Sequence, residues 1–395
     1  MSHKLTEVDR EQTFKTLLPG STIGILGGGQ LGRMISLAGT AMGYQFVTLD
    51  PTAQSPSSPV AQQIIAEYDD VGAAHELAKV SDVITYEFEN VDAGVAAMLM
   101  KESYVPQGSA LLYTTQHRLR EKLAIEAAGI PVAPYRVIEG LDSLEQAMRE
   151  LGYPSVLKTA TGGYDGKGQV VIRSEDQLTS AYSELAASEK ELVLEQFIPF
   201  ACEISVIAAR NPSGEVKSFP ISENIHKDNI LHISIVPARV SAQVQREARR
   251  LAETLVAKLN VVGLLAVEMF VTEDDQLYVN ELAPRPHNSG HYTMEACSTS
   301  QFEQHVRAVC NLPLEDTTLL SPVVMVNVLG QHLDLVIERM GVRDKVATEL
   351  GIVPKLHLYG KTDSKNNRKM GHINLLCKDV QDGLNWIEQT NIWRK

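Results

Sequence analysis

The sequence predicts an α/β protein assembled from several units, and three stretches carry that prediction. Near the start, a short apolar strand runs into GGGQLGRM at residues 27–34. Midway, a strand ending in Lys158 runs into TATGGYDGKGQ and then into another strand. Further on, residues 265–282 read as two β-prone runs joined by an acidic turn, followed by the irregular run APRPHNSGH. Composition sets the frame. A chain of 395 residues, 44% hydrophobic and 22% charged, suits an ordinary globular protein of about two to three domains. A net charge of −13 argues against nucleic acid as a partner, so an anionic ligand must find local positive clusters. Cys202, Cys297, Cys310 and Cys377 show no CxxC spacing, which speaks against a disulfide framework or a zinc site and fits a reducing cytoplasm. With no signal peptide and no long apolar run in view, no membrane is expected; residues 1–19 are polar and read as a frayed helix or an extension.

Residues 22–26 form the first strand. Gly27, Gly29 and Gly32 then fit GxGxxG, and Asp50 closes the next strand (45–49) where a ribose-binding acid sits in dinucleotide folds. A nicotinamide dehydrogenase is therefore one reading. The pattern alone is weak, because any tight strand-to-helix turn that brings backbone close to an anion needs those glycines. It does predict a doubly wound unit, which residues 61–66, 83–86 and the run to 105 continue. Glu87 follows a strand's carboxyl end, where open α/β sheets bind ligands, and a surface acid accounts for it equally well. Residues 114–128 read as a helix stopped by Gly129-Ile130-Pro131, its Arg118, Glu121 and Lys122 fitting a solvated face.

From residue 135 a second, smaller α/β unit begins. Gly162, Gly163, Gly166 and Gly168, flanked by Lys158 and Lys167, make a mobile hairpin loop between strands 155–158 and 170–173. Backbone N–H groups in such a loop can approach a phosphate closely. No GK[ST] opens a helix, so it is not a Walker A loop. A helix (175–188) and a strand (192–195) lead through Gln196-Phe197-Ile198-Pro199 into an apolar strand (204–209). Glu203 falls in that otherwise apolar strand, a setting that suits a hydroxyl pair or a cation. Residues 222–230, SENIHKDNI, are read as a polar segment with His226 and Lys227, and 243–259 as an amphipathic helix.

The hairpin carries the sharpest chemistry. With a symmetric turn centred on Asp274 and Asp275, Val271 faces Tyr278, Met269 faces Asn280 and Glu268 faces Glu281. Directly opposed residues hold their Cβ atoms roughly 4.5–5.5 Å apart, where like charges repel. A divalent cation resolves the conflict, since Mg²⁺ takes oxygen ligands from one or two carboxylates plus substrate phosphates. Asn280 adds an oxygen if the strand bulges; a one-residue slip would instead send one glutamate to solvent. The loop beyond, with Arg285, His287 and His291, is too irregular for a strand or helix and too polar for a core. It suits a substrate. A helix (302–310) and a strand (322–329) lead to a tail with strands at 355–359 and 371–376. Lys361, Lys365, Arg368, Lys369 and His372 put five basic residues around that tail's loop, either a solvated tip or a phosphate site.

An α/β unit, a small unit with a Gly-Lys loop, then a hairpin with paired glutamates: in this order the chain resembles the ATP-grasp superfamily. GGGQLGRM, TYEFENV, KTATGGYDGKGQ, EQFI and NELAPRPHNSGHYT narrow the resemblance to the N5-carboxyaminoimidazole ribonucleotide synthase family, from residue 22 to about residue 376. PRPHNSGH and YDGKG are its most specific parts. The resemblance implies an α/β ATP-grasp fold. Its parts would be a doubly wound pre-ATP-grasp domain (1–134), a lid subdomain (135–201), a central metal-binding domain (202–330) and a small C-terminal domain (331–395). It implies an ATP-dependent ligase that carboxylates 5-aminoimidazole ribonucleotide with bicarbonate, using ATP and Mg²⁺. A cytoplasmic homodimer joined through the first domain is expected, with neither nucleic acid nor membrane as partner.

By the same resemblance, Arg118 and Lys158 reach the ATP phosphates beneath a loop of Gly163, Tyr164, Asp165, Gly166, Lys167, Gly168 and Gln169. Glu195, Gln196, Phe197 and Ile198 form the adenine hinge, Glu203 takes the ribose hydroxyls and His226 lies beside the nucleotide. Glu268 and Glu281 hold Mg²⁺, with Asn280 beside them. Tyr164, Asp165, Arg285, His287, Lys361 and Arg368 are the expected ribonucleotide contacts, with Asp165, Arg285 and His287 as catalytic groups. One extra residue between Lys361 and Arg368, against the family's usual spacing, leaves the choice of phosphate ligand open among Lys365, Arg368 and Lys369. The implied reaction needs no covalent nucleophile, and the sequence offers no nucleophile elbow. Other ATP-grasp ligases, such as the formate-dependent glycinamide ribonucleotide transformylase or a biotin carboxylase, would differ in the acceptor loop, and HNSGH speaks against them. A dehydrogenase leaves the Gly-Lys loop and the paired glutamates unexplained. A non-catalytic nucleotide-binding regulator leaves the glutamate pair idle.

Overall fold

The computed structural model describes residues 14–163, 166–187 and 191–394. The first unit is a parallel sheet of β1 (Thr22–Leu26), β2 (Gln45–Leu49), β3 (Gln62–Ile64) and β4 (Val83–Tyr86), in the order β3-β2-β1-β4. Both faces of such a sheet are covered, which is why β1, β2 and β4 read as nearly unbroken apolar runs. The second unit is antiparallel: β5 (Tyr135–Ile138), β6 (Ser155–Thr159), β7 (Gln169–Ile172) and β8 (Leu192–Gln196), ordered β5-β8-β6-β7. Its own small core gathers Ile138, Leu144, Leu157, Ile172, Leu185 and Leu194.

The remaining strands form one antiparallel sheet of nine. They are β9 (Phe200–Arg210), β10 (Val216–Ser218), β11 (Ser222–Lys227), β12 (Ile230–Val236), β13 (Gly263–Thr272), β14 (Leu277–Ala283), β15 (Val323–Leu329), β16 (Val353–Leu358) and β17 (Lys369–Leu376). The order is β14-β13-β9-β11-β12-β15-β17-β16, with β10 pairing β9. The tail strands β16 and β17 therefore extend the central sheet through β15.

The polar segment at 222–230 is in fact β11, its turn and the start of β12. Asp228 and Asn229 both have positive φ, 52° and 61°, the two-residue turn whose twist suits a hairpin. That dipeptide was the available signal; the polar composition of the strand hid it. The β13–β14 turn also differs from the symmetric expectation. Thr272 N–H bonds Gln276 O across a three-residue loop whose last residue, Asp275, is left-handed at φ 61°.

Beneath β9, β13 and β14 lies the helix Ala242–Lys258. Ser241 caps it by accepting from Val244 N–H, and Val244, Ala248, Leu251, Ala252 and Leu255 recur on one buried face. Fully burying each leucine contributes about 1.5–3 kcal/mol, so this face anchors the sheet that carries the paired glutamates. The first unit is tied to the centre by apolar packing of the helices Gln30–Ala41 and Gln301–Val309, and by a buried contact of 2.8 Å between Thr85 Oγ1 and His305 Nε2.

Candidate functional site

The three sheets open onto one cleft of about 790 Å³. Residues from the ends of β4, β6, β8, β13 and β14 line it, together with the glycine turn, the loop after β14 and two tail lysines.

At one side sits a buried knot of charge. Glu195 on β8 is 3% exposed and meets Lys158 Nζ at 2.9 Å, Lys122 Nζ at 3.3 Å and Arg118 Nη1 at 3.7 Å. Burial alone would raise the Glu195 carboxyl, but the three cations hold it down at about 2. Burial in turn pulls Lys158 below the usual lysine range, and Glu195 offsets only part of that. Arg118 and Lys122 are four apart on the helix Arg118–Ala127, so they share one face. Far from a solvated face, Lys122 is 1% exposed. Glu121 on the same helix is buried too, and its Oε1 accepts from Leu282 N–H at 2.8 Å on the outer strand β14. Sequence reasoning missed both roles; the four-residue spacing from Arg118 to Lys122 was the signal.

Gln196 N–H bonds Pro134 O and Phe197 N–H bonds Pro154 O. Those two hinge residues therefore have no backbone N–H free for a nucleobase. Apolar surface is at hand, with Phe200 stacked on Phe270 at 4.7 Å. Glu203 on β9 and His226 on β11 meet across adjacent strands, Oε2 to Nδ1 at 3.2 Å. Burial would depress the His226 ring, but Glu203 raises it above its ordinary range. Of the glycine loop, Gly163, Gly166 and Gln169 reach the cleft, whereas Tyr164 and Asp165 fall outside the described residues. Gly166 (φ +79°) packs on the β11–β12 turn so closely that a Cβ there would lie 2.4 Å from Asn229.

Glu268 and Glu281 face each other as the sequence suggested, but the rest of the register shifts. A bulge follows the pair: Met269 is opposite Val279, Phe270 opposite Tyr278, and Asn280 is the extra residue. Burial, and then the Glu281 charge, push the Glu268 carboxyl well above the carboxylate range. Asn280 Oδ1 is buried with no hydrogen-bond partner. Two crowded carboxylates and an orphaned amide oxygen are a donor set that fits a hard cation. No cluster of three or more His, Cys, Asp or Glu side chains suited to a metal occurs among the described residues. Mg²⁺, which keeps water and substrate phosphates as ligands, needs none.

The opposite side is basic. Arg285 forms a fork with Glu89, including Nη2 to Oε1 at 3.0 Å, and Glu89 was overlooked in the TYEFENV stretch. His287 Nε2 lies 3.6 Å from Glu268 Oε1; burial, reinforced by Arg285 and Lys369, keeps its ring neutral. Gln301 clamps the backbone of His287 from both sides, at 2.9 Å and 2.8 Å. Lys361 Nζ touches Gln30 Oε1 at 2.5 Å and Lys369 O at 2.8 Å, and burial followed by Arg368 lowers it to about 8. Lys369 lines the cleft beside it. Arg368 does not; it turns to the Asp363 carbonyl at 2.9 Å, while Lys365 pairs with Asp363 at the surface.

The glycine turn is already filled. Gly29 N–H donates to Glu87 Oε1 at 2.6 Å and Gly32 N–H to Oε2, while Gly28 N–H donates to Asp50 at 2.8 Å. A Cβ at Gly27 (φ +107°) would fall 2.4 Å from Glu87. These glycines cradle the protein's own carboxylates, not a dinucleotide. Burial raises Glu87 to about 7.

Comparison with known proteins agrees over most of the chain. The family model for the ribonucleotide synthetase preATP-grasp domain matches residues 20–116, that for the ATP-grasp domain 123–302, and that for the phosphoribosylaminoimidazole carboxylase C-terminal domain 323–385. The chain is 50% identical over 379 residues to the N5-carboxyaminoimidazole ribonucleotide synthase of Bacillus subtilis, covering 95% of this chain and 96% of that one. It is 45% identical over 359 residues to that of Brucella melitensis, covering 91% and 97%. Among solved structures, an N5-carboxyaminoimidazole ribonucleotide synthetase in complex with ADP superposes with a TM-score of 0.92 at 53% identity, covering 96% and 98%. The synthase of Aspergillus clavatus in complex with ADP and 5-aminoimidazole ribonucleotide superposes at 0.86 and 30% identity, covering 95% and 99%.

Proposed function

Because the chain belongs to the N5-carboxyaminoimidazole ribonucleotide synthases, ATP-dependent ligases of purine biosynthesis, we propose how this cleft divides the work. The reaction carboxylates 5-aminoimidazole ribonucleotide at the expense of ATP. In our reading the nucleotide lies over β8 and β9, with adenine against the hinge of Glu195, Gln196, Phe197 and Ile198. Glu203 and His226 take its ribose. Lys158 reaches the phosphates, and Arg118 and Lys122 supply positive field from behind it through Glu195. Glu268 and Glu281 would hold Mg²⁺ with Asn280 as a third oxygen, and the ion would neutralise charge on the transferring phosphoryl group.

The ribonucleotide occupies the basic side, its phosphate on Lys361 and Lys369 and its ring near Arg285 and His287. Bicarbonate is the carbon donor. Its oxygen attacks the γ-phosphorus, ADP leaves, and carboxyphosphate forms. Carboxyphosphate splits into CO₂ and phosphate inside the cleft, and the substrate's amine attacks the CO₂ carbon. The loop from Gly163 to Gln169 has to close first, since the intermediate is lost to water. The amine proton passes to the departing phosphate, to Asp165 or to His287.

One observation carries the reading: the crowded glutamate pair and the lysine pair line the same cleft, with the glycine loop at its edge. We place the enzyme in the cytoplasm as a homodimer joined through the first unit, a state that sedimentation at micromolar concentration tests. No helix among the described residues is long and apolar enough to cross a membrane.

The decisive experiment follows phosphate release from Mg-ATP and bicarbonate, with and without 5-aminoimidazole ribonucleotide. Strong stimulation by the ribonucleotide, with a labile carboxylated product, is expected. ATP cleavage indifferent to the ribonucleotide would overturn the assignment of the basic side.

A further inference from the structure

His287 sits at the end of a buried chain of hydroxyls that none of the chemistry above employs. Ser289 Oγ lies 2.9 Å from His287 Nδ1 and 2.6 Å from Ser205 Oγ. Ser205 Oγ lies 2.8 Å from Ser222 Oγ and accepts from Asn224 Nδ2 at 3.0 Å. Asn224 Oδ1 accepts in turn from Ser234 at 2.9 Å. All five side chains beyond the ring are at least nine-tenths buried, and they come from β9, β11, β12 and the loop after β14.

The donors order themselves along this chain. The backbone N–H of Ser289 also points at His287 Nδ1, at 3.4 Å, so that nitrogen accepts and carries no proton. The Ser289 hydroxyl then donates to Nδ1, and Ser205 donates to Ser289. Ser205 oxygen receives Asn224 and Ser222 on its two lone pairs. Every hydrogen bond runs toward the ring. The ring proton is left on Nε2, the atom nearest Glu268 in the cleft.

We propose that Ser289 and Ser205 are positioning residues: they fix His287 as the Nε2–H tautomer, so that it offers a hydrogen bond to the reacting groups and accepts no proton from the amine. His287 then stabilises an oxygen of bicarbonate or phosphate, and the amine proton goes to the departing phosphate or to Asp165. This rests on reading the cleft as the ribonucleotide site.

Two measurements test it. In steady-state kinetics with ATP, bicarbonate and 5-aminoimidazole ribonucleotide, H287Q retains an N–H donor and no ring base. It is expected to keep clearly more activity than H287A. S289A is expected to lower kcat about three- to tenfold, the size of one hydrogen bond, with KM for ATP unchanged. In the H287Q background S289A should cost nothing further. H287Q as inactive as H287A, or an S289A loss equal in both backgrounds, would overturn the proposal. The tautomer is read separately, on ¹⁵N,¹³C-histidine-labelled wild type without substrate. The histidine signal lost in H287Q should show an unprotonated Nδ1, and a protonated Nδ1 would overturn the proposal even if S289A failed to fold. Because no substrate is present, that result stands whether or not the ligase assignment does.

Discussion

Lys361 and its neighbours show how far single residues were legible. The sequence placed five basic residues around one tail loop and left the phosphate ligand open among three of them. In the structure Lys369 turns inward, while Arg368 spends its charge near Asp363. We therefore expect K361A and K369A each to raise KM for the ribonucleotide at least tenfold more than KM for ATP, and R368A to do much less. Initial-rate kinetics with either substrate varied checks this, and an R368A effect matching K369A would remove Lys369 from the site. Composition alone could not separate the three, because the direction of a side chain on a loop depends on which neighbour captures it. Glu195 makes the same point. Its place in the EQFI stretch was readable, but its contact with Arg118 and Lys122 depends on a helix some seventy residues earlier in the chain.

At the scale of elements, the β13–β14 hairpin was read correctly at the glutamate pair and wrongly beyond it. A symmetric turn puts Asn280 opposite Met269; the bulge removes Asn280 from pairing and leaves its oxygen without a partner near the pair. Bulges are invisible in a two-residue alternation that is otherwise intact, and the three-residue turn that shifts the strand ends depends on Asp275 accepting a left-handed backbone. E281Q should keep the fold and relieve repulsion, raising the melting temperature of the ligand-free protein slightly while abolishing most turnover and raising the Mg²⁺ requirement. Near-normal turnover at low Mg²⁺ would remove the pair from the metal site. The β11–β12 hairpin was missed because its strand is polar, although its Asp-Asn turn was in plain view.

Across the whole molecule the order of units was legible, since each announces itself by a local pattern; the union of tail and centre in one nine-stranded sheet was not, because pairing between distant strands leaves no local trace. Burial in that assembly has a cost in acid. His232, His305 and His332 are lowered to about 4 and His291 to about 3, and His287 and His372 lie well below their ordinary value, burial being the leading cause in each. The unfolded chain binds those protons near pH 6.5 and the folded one only near pH 4 or below. Their stabilising contribution is therefore complete above pH 6.5 and is lost as pH falls toward 4. Glu87, Glu121, Glu268 and His226 are raised and act in the opposite sense, six groups against four. Thermal melts of the ligand-free protein should show the midpoint falling steadily from pH 6.5 to 4.5; a flat or rising midpoint would contradict the balance.

The glycine turn plugged by Glu87 bears on selective inhibition. A compound built on a dinucleotide scaffold would have to evict a carboxylate that already satisfies two backbone donors, and so should pass this enzyme by. Nicotinamide and flavin analogues that burden other Gly-rich proteins are poor starting points here. An anion that enters instead between Lys361 and Lys369 meets two lysines that already line the cleft. Chemists seeking to starve a cell of purines should begin at that end of the cleft.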